Sequence, residues 1–177
     1  MGGSGIGPRL IIVCGLPGSG KTTLARALER RLRAVRFCPD EWMVALSLDV
    51  YDEERRGQIE ALQWKVAQEL LARGLIVIIE WGTWGRSERD TLRLGARAIG
   101  AGVEMHYLSA PADVLFERLQ CRASENPPIE REAVSRWLEL FQEPTPEEIA
   151  LFDEPLCEGL AAVETESRPK ETAVKSP

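Results

Sequence analysis

Short apolar runs alternate with longer amphipathic segments along most of the chain. The runs are compact and mostly apolar, which is typical of strands buried on both faces of a parallel sheet. These predicted strands cover residues 9–14, 34–38, 75–79 and 103–108. The segments between them repeat their apolar positions every three to four residues, which predicts helices. These predicted helices cover residues 21–32, 52–73, 87–99, 110–119 and 131–141.

Strands that alternate with helices in this order predict an α/β fold, with a parallel sheet between two layers of helices. The predicted domain covers residues 9–157. The Gly-rich residues 1–8 are interpreted as a flexible leader, since no basic region followed by an apolar run marks a signal peptide. Residues 158–177 are polar, charged and poor in large apolar side chains, which predicts a disordered acidic tail.

Composition and charge exclude several classes of function. The chain has no run of about 18 apolar residues, so no transmembrane helix is expected. Its four cysteines form no CxxC pair and it has one histidine, which argues against a zinc site and fits a reducing, cytoplasmic setting. Residues 142–177 hold nine acidic and three basic residues, which accounts for the net charge of −6. The rest of the chain is neutral, whereas polynucleotide binders usually have a basic face.

The turn between the first predicted strand and helix carries the sequence GLPGSGKT, residues 15–22, which matches the pattern GxxxxGK[ST]. Its glycines let backbone N–H groups point inward around phosphate oxygens, and the helix N-terminus adds a favourable dipole. Lys21 can reach the β- and γ-phosphates, and the hydroxyl of Thr22 can ligate Mg²⁺. The predicted nucleotide contacts are Gly15, Pro17, Gly18, Ser19, Gly20, Lys21, Thr22 and Thr23.

An acidic residue, Asp40, directly follows the second predicted strand in the string FCPDEWM. A carboxylate at this position could accept the proton of an attacking hydroxyl group. An Asp here could equally cap a helix that starts at Glu41 and Trp42. The residues alone leave these two interpretations open.

The string FCPDEWM, about 20 residues after GLPGSGKTT, resembles small P-loop, AAA-like ATP-binding kinases of the zeta-toxin, chloramphenicol phosphotransferase and polynucleotide kinase group. In that group an Asp at the end of strand two is the catalytic base, so the resemblance implies this role for Asp40. It covers residues 9–155 and implies a P-loop NTPase three-layer αβα sandwich with four to five parallel strands. It also implies ATP and Mg²⁺ as cosubstrates and a helical lid at about residues 119–131. Residues 160–163 are the only candidate for a fifth strand.

Glu80 follows the strongly apolar strand LIVII. The acidic residue that holds a Mg²⁺-bound water in P-loop proteins would lie at this point, although that residue is usually Asp. The alternative is a polar residue that simply closes a strand. The hypothesis is therefore that Thr22 and Glu80 organise Mg²⁺ together.

Two tryptophans and two arginines follow Glu80 at a strand end that should face the site. A tryptophan there can stack on a ring and an arginine can hold an anionic group. The predicted acceptor contacts are Trp81, Trp84, Arg86 and Arg89, and Arg89 is similar in place to a family arginine near the acceptor. The alternative is that the tryptophans pack in the core and the arginines are solvated. Arg55 and Arg56, before the apolar stripe of the long helix, could also face the acceptor pocket, but we interpret them as a solvated pair.

Arg118 and Arg122 are four residues apart, so they share one face of a helix. The segment resembles the RxxxR lid of these kinases, in which arginines clamp the phosphates as charge moves toward the leaving oxygen. The alternative is a solvated helix face. We interpret both arginines as catalytic, together with Lys21 and Asp40.

These observations predict an ATP- and Mg²⁺-dependent phosphotransferase that moves the γ-phosphate to a hydroxyl of a small-molecule acceptor, for example an antibiotic or another metabolite. One alternative is a 5′-hydroxyl polynucleotide kinase, against which the neutral domain argues. Another is a regulatory P-loop NTPase that acts through a protein partner and its acidic tail. The sequence names neither the acceptor nor the oligomeric state.

Overall fold

The structure, a computed structural model, describes residues 7–121 and 129–157. Its strands are β1 (Arg9–Cys14), β2 (Val35–Phe37), β3 (Ile76–Gly82) and β4 (Gly102–Tyr107). Its helices are α1 (Lys21–Leu32), α2 (Pro39–Ala45), α3 (Glu53–Ala72), α4 (Arg86–Ala98), α5 (Ala112–Cys121), α6 (Arg131–Leu140) and α7 (Pro146–Ile149).

The four strands form one parallel sheet in the order β2-β3-β1-β4. The central strand β1 pairs with β3 on one side and with β4 on the other; Ile11 lies opposite Ile78 and Glu104. Because all strands run in the same direction, their carboxyl ends meet along one edge, where ligands bind in such sheets. The predicted α/β fold with a parallel sheet is confirmed.

Each face of the sheet buries a separate apolar layer. Leu10 and Ile12 of β1 pack with Leu71 of α3 and with α4 on one face. Ile11 of β1 and Leu28 of α1 belong to the layer on the opposite face. Complete burial of one such side chain contributes about 1.5–3 kcal/mol, so the two layers hold α1 and α4 firmly against the strand that carries the P-loop.

Two elements differ from the sequence expectation in ways that affect the site. Strand β3 continues to Gly82, because Gly82 still lies opposite Cys14 after a register shift in β1. Glu80 is therefore inside the strand. Residues 39–45 form a helix that begins at Pro39. Proline suits this position because the N–H groups of the first helical turn have no partner within the helix, and proline has no N–H.

Several predictions fall partly or wholly on residues outside the described ranges. These are the leader up to residue 6, the lid residues 122–128, the candidate fifth strand at 160–163 and the tail 158–177. Within the described ranges the sheet has four strands. No helix in those ranges combines the length and hydropathy needed to span a bilayer.

Candidate functional site

The P-loop lies at the carboxyl edge of the sheet, between the ends of β3 and β4. Gly15 has a φ of +144°, and a Cβ placed on it would lie 2.3 Å from the carbonyl oxygen of Leu108. The N–H of Gly15 donates to the carbonyl of Gly82 at 3.3 Å. Gly20 precedes α1 in the left-handed conformation, with φ of 101°. The loop thus needs glycine both for backbone conformation and for close approach to β4.

Two cations lie on the P-loop itself. The Nζ atom of Lys21 donates to the carbonyl of Leu16 at 2.9 Å, which holds the amine over the loop. Arg118 of α5 donates from Nη1 to the carbonyl of Gly18 at 3.2 Å. The structure therefore brings Lys21 and Arg118 to the same loop, whereas Arg122 lies outside the described residues.

The hydroxyl of Thr22 donates to Oε1 of Glu80. The other carboxylate oxygen, Oε2, accepts from Nη1 of Arg36 at 2.7 Å. The Glu80 side chain is 3% exposed, and Arg36 of β2 neutralises its buried charge. Burial lowers the pKa of Arg36, but the contacts with Glu41 and Glu80 outweigh it, so the net shift is upward.

The residues present fit a magnesium ion that is shared with a nucleotide. A hydroxyl and a carboxylate next to a phosphate-binding loop supply hard oxygen donors, which Mg²⁺ prefers. In residues 7–121 and 129–157, no group of three or more His, Cys, Asp or Glu side chains could hold a metal ion. Such a site would therefore depend on phosphate oxygens and water for its remaining ligands, as is usual for Mg²⁺.

Asp40 lies in the first turn of α2, at the carboxyl end of β2. The N-cap of this helix is Cys38 and has no side-chain cap bond, so Asp40 is not the capping residue. Its side chain is 63% exposed and accepts a hydrogen bond from Nη2 of Arg56 in α3. Arg56 also donates to the carbonyl of Val50 at 3.2 Å. The interpretation of Arg56 as solvated was wrong, because its side chain is only 23% exposed and bonds both Asp40 and Val50.

A second carboxylate, Glu60, lies one turn after Arg56 on α3, with Oε1 3.9 Å from the guanidinium. Its pKa is raised to about 7, first by burial and then by the carboxylates of Glu88, Glu53 and Asp40, and the charge of Arg56 only partly offsets this. Glu60 thus places a second, partly buried carboxyl group beside the Asp40–Arg56 pair.

The two tryptophans after Glu80 are held in different ways. Trp81 donates from Nε1 to Oε1 of Gln63 at 2.8 Å, which orients its ring beside α3. Trp84 meets Trp137 of α6 edge to face, with ring centroids 6.2 Å apart. Both remain partly exposed. The Arg86 side chain is half exposed and lies 3.5 Å from Asp90.

Arg89, by contrast, does not reach the open site. Its side chain is completely buried and forms two bonds to the Glu148 carboxylate, at 2.6 and 3.0 Å. Burial lowers the pKa of Arg89, but the bond and charge of Glu148 outweigh it, so the net shift is upward. Arg89 also donates to the backbone carbonyls of Thr83, Trp84 and Gln142. These contacts join the loop after β3 to the segment after α6.

Sequence reasoning missed three residues that shape the site, Arg36, Gln63 and Glu148, and it misjudged the surroundings of Arg56. Arg36 had a usable signal, since a charged side chain in the middle of an apolar strand needs a buried partner. Arg56 and Glu148 had none, because their partners are 16 and 59 residues away in sequence. Long-range pairs of this kind follow from how the helices pack.

Residues 10–144 match the model of a family described as AAA domain. The match covers more than half of the chain and includes the P-loop, Asp40 and Glu80. A curated relative, a shikimate kinase from Bradyrhizobium diazoefficiens, is 26% identical over 124 residues, which are 68% of this chain and 58% of the relative. The chain thus spans less than two thirds of that relative's length.

Solved structures share the fold at low identity. A gluconokinase from Sinorhizobium meliloti 1021 has a TM-score of 0.56 and 23% identity, covering 79% of this chain and 78% of that one. A chain of the Pnkp1/Rnl/Hen1 RNA repair complex has a TM-score of 0.64 and 22% identity, covering 83% of this chain and 47% of that one. Together with the family match, they confirm the resemblance to small P-loop kinases.

Proposed function

The chain belongs to the AAA domain family of P-loop proteins, and on that premise we propose that it transfers the γ-phosphate of ATP to a hydroxyl of a small-molecule acceptor. One observation carries this proposal: an exposed carboxylate, Asp40, follows β2 at the sheet edge where the P-loop follows β1. A carboxylate at this edge can accept the proton of an attacking hydroxyl, which supports transfer to an acceptor.

The contacts on the P-loop support the proposed roles of its neighbours. Lys21 and Arg118 lie on the P-loop, where cations stabilise charge on the transferring phosphoryl group. Arg122, four residues after Arg118, is proposed to act with it. Thr22 and Glu80 would hold Mg²⁺, which neutralises phosphate charge when bound.

Asp40 is the proposed general base. The acceptor oxygen forms a bond to the γ-phosphorus, the bond from that phosphorus to the bridging oxygen breaks, and the hydroxyl proton passes to the Asp40 carboxylate. The Arg56 contact occupies Oδ1 of Asp40, which leaves Oδ2 for the acceptor hydroxyl. Trp81, Trp84 and Arg86 are proposed to line the acceptor side.

The test is transfer of label from γ-labelled ATP and Mg²⁺ to a panel of acceptors: shikimate, gluconate, hydroxylated antibiotics, nucleosides and a 5′-hydroxyl oligonucleotide. Asp40→Asn should lower transfer about 10²–10⁴-fold while leaving ATP binding intact. Glu69→Gln, which removes an exposed carboxylate on α3, is the matched control. Transfer that survives Asp40→Asn unchanged would refute the role of Asp40.

The oligonucleotide arm addresses a second candidate, a 5′-hydroxyl polynucleotide kinase, which is compatible with the fold shared with a chain of the RNA repair complex. Polynucleotide binding through phosphates would weaken steeply with added salt. Label released only as free phosphate, equally by wild type and Asp40→Asn, would instead favour a regulatory NTPase.

A further inference from the structure

One buried guanidinium, that of Arg36 in β2, contacts carboxylates from three different elements. Its Nε donates to Glu29 of α1 at 3.2 Å, its Nη1 to Glu80 of β3 at 2.7 Å, and its Nη2 to both oxygens of Glu41 in α2 at 2.7 Å each. The Arg36 side chain is 7% exposed. Every nitrogen of the guanidinium therefore has a carboxylate partner.

The sheet register explains why this side chain meets Glu80. Arg36 lies opposite Ile78 in β3, and alternate residues of a strand point to the same face. Glu80 is two residues beyond Ile78, so it shares that face, which is covered by α1. Thr22, in the first turn of α1, approaches the same carboxylate from the other side.

Stability alone gives no reason for this arrangement. Buried ion pairs contribute little net stability, because the cost of removing both charges from water offsets their attraction. Apolar side chains in place of both Arg36 and Glu80 would serve the core about equally well. What the arginine does supply is orientation: with Oε2 of Glu80 bonded to Arg36, only Oε1 faces Thr22.

We propose that Arg36 is a positioning residue for the magnesium site, acting through Glu80 on the Thr22 hydroxyl. Because that hydroxyl donates its hydrogen to Oε1 of Glu80, its lone pairs are turned away from the carboxylate and remain available to a metal ion. This inference rests on the proposed magnesium role of Thr22.

The same guanidinium also holds the helix that carries the proposed base. Glu41 directly follows Asp40, and both lie in the first turn of α2. A planar guanidinium can bond three carboxylates in fixed directions, whereas a lysine ammonium acts as a point charge. Arg36→Lys should therefore preserve the positive charge but not the fixed directions of the three hydrogen bonds.

The test is nucleotide binding, which requires no acceptor. The dissociation constant of a fluorescent ADP analogue is measured by titration with excess Mg²⁺ and again in EDTA. Arg36→Met should weaken the Mg²⁺-dependent binding about 10–100-fold, the usual effect of removing a group that orients a metal ligand. Binding in EDTA should stay within about twofold, and Arg36→Lys should lie between wild type and Arg36→Met.

Glu29→Gln is the matched control, since it changes only the contact of Arg36 with α1 and leaves the contacts with Glu80 and Glu41 in place, and it should bind like wild type under both conditions. Equal weakening with and without Mg²⁺ in Arg36→Met, or no weakening at all, would overturn the proposal.

If Arg36→Met does not fold, as judged by circular dichroism, Arg36→Lys is compared with and without Glu80→Gln. Arg36→Lys should have no further effect on Mg²⁺-dependent binding once Glu80 is changed, and a fully additive effect would also overturn it.

The result of the Arg36 binding test can be distinguished from the result of the phosphotransferase test. If no acceptor is ever labelled but the Mg²⁺-dependent difference is found, the role of Arg36 stands and the kinase chemistry fails. If label transfer is found but Arg36→Met binds nucleotide like wild type with Mg²⁺, the kinase stands and the role of Arg36 fails.

Discussion

In the nucleotide half of the site, residues 15–22, local sequence supplies most of the shape: Lys21 bonds Leu16, and Ser19 bonds Leu16 within the same turn. In the proposed acceptor half, residues 40–60 and 81–90, the defining contacts join distant segments. Asp40 meets Arg56 and Arg89 meets Glu148. The conformation of the first half is therefore determined mainly by a local sequence motif, whereas that of the second depends on how the helices of this chain pack.

The largest expected effect is in the acceptor half. Arg89→Met would leave Glu148 buried without its cation, and breaking a buried pair from one side typically costs about 3–5 kcal/mol of unfolding free energy. The carbonyls of Thr83 and Gln142 would also lose their donor. Urea unfolding should show a lower midpoint with an unchanged slope.

Arg97→Met is the control for this prediction, because the Arg97–Asp153 pair is partly exposed and should be worth less than about 1 kcal/mol. Changing Arg89→Met and Glu148→Leu together removes both buried charges and should recover part of the loss. Similar losses for Arg89→Met and Arg97→Met would show that the buried pair does not hold the acceptor half together.

The second prediction concerns a substitution that disrupts the P-loop in the nucleotide half. Gly15→Ala places a Cβ 2.3 Å from the carbonyl of Leu108, at a φ that L side chains rarely adopt. We expect the loop to shift and the affinity for ATP to fall about 100-fold or more, since backbone donors must point at the phosphates. Isothermal titration calorimetry measures this directly.

Gly57→Ala is its control. Gly57 lies in α3, and a Cβ there meets nothing within 4 Å. Alanine in a helix interior is favoured over glycine by about 0.5–1 kcal/mol, so this variant should bind ATP normally and unfold at slightly higher temperature. An intact ATP affinity in Gly15→Ala would contradict the steric argument.

This contrast also explains what could be predicted from sequence. The sheet and the P-loop depend on local periodicity and on a motif eight residues long, and β1 and α1 begin and end at the predicted residues. The acceptor contacts depend on helix packing: Arg89 and Arg86 are only three residues apart, yet one is buried and the other half exposed. Local sequence does not distinguish them, because the difference arises from Glu148, which is far away in the chain.

The third prediction concerns Arg56. Arg56→Met removes the guanidinium that holds Oδ1 of Asp40, so the carboxylate should lose its fixed direction. We expect kcat for the labelled acceptor to fall about tenfold, because small misplacements of a reacting group are costly, while ATP affinity stays unchanged. Arg55→Met is the neighbouring control, since the Arg55 side chain is exposed and donates to Gln58 on the same helix. An equal loss in Arg55→Met would contradict a specific role for Arg56.

The smallest expected effect concerns Glu60 in the acceptor half and the dependence of protein stability on pH. Its pKa is raised to about 7 in the folded protein, first by burial and then by Glu88, Glu53 and Asp40, against the lowering effect of Arg56. The folded state therefore binds a proton that the unfolded state releases near pH 4.5, so this group's contribution to stability is complete below pH 4.5. That contribution is lost as pH rises through 7.

Glu60→Gln keeps the shape and removes the titration. At pH 8 the variant should be more stable than wild type by about 1–2 kcal/mol, a value reduced from the full shift because the side chain is partly solvated. At pH 4.5 the two should unfold alike. Thermal unfolding at both values measures the difference, with Glu69→Gln on the same helix as control. If Glu60→Gln changed stability equally at both pH values, the pKa of Glu60 would not be raised in the folded protein, and burial of this carboxyl group would not be the cause of any pH dependence.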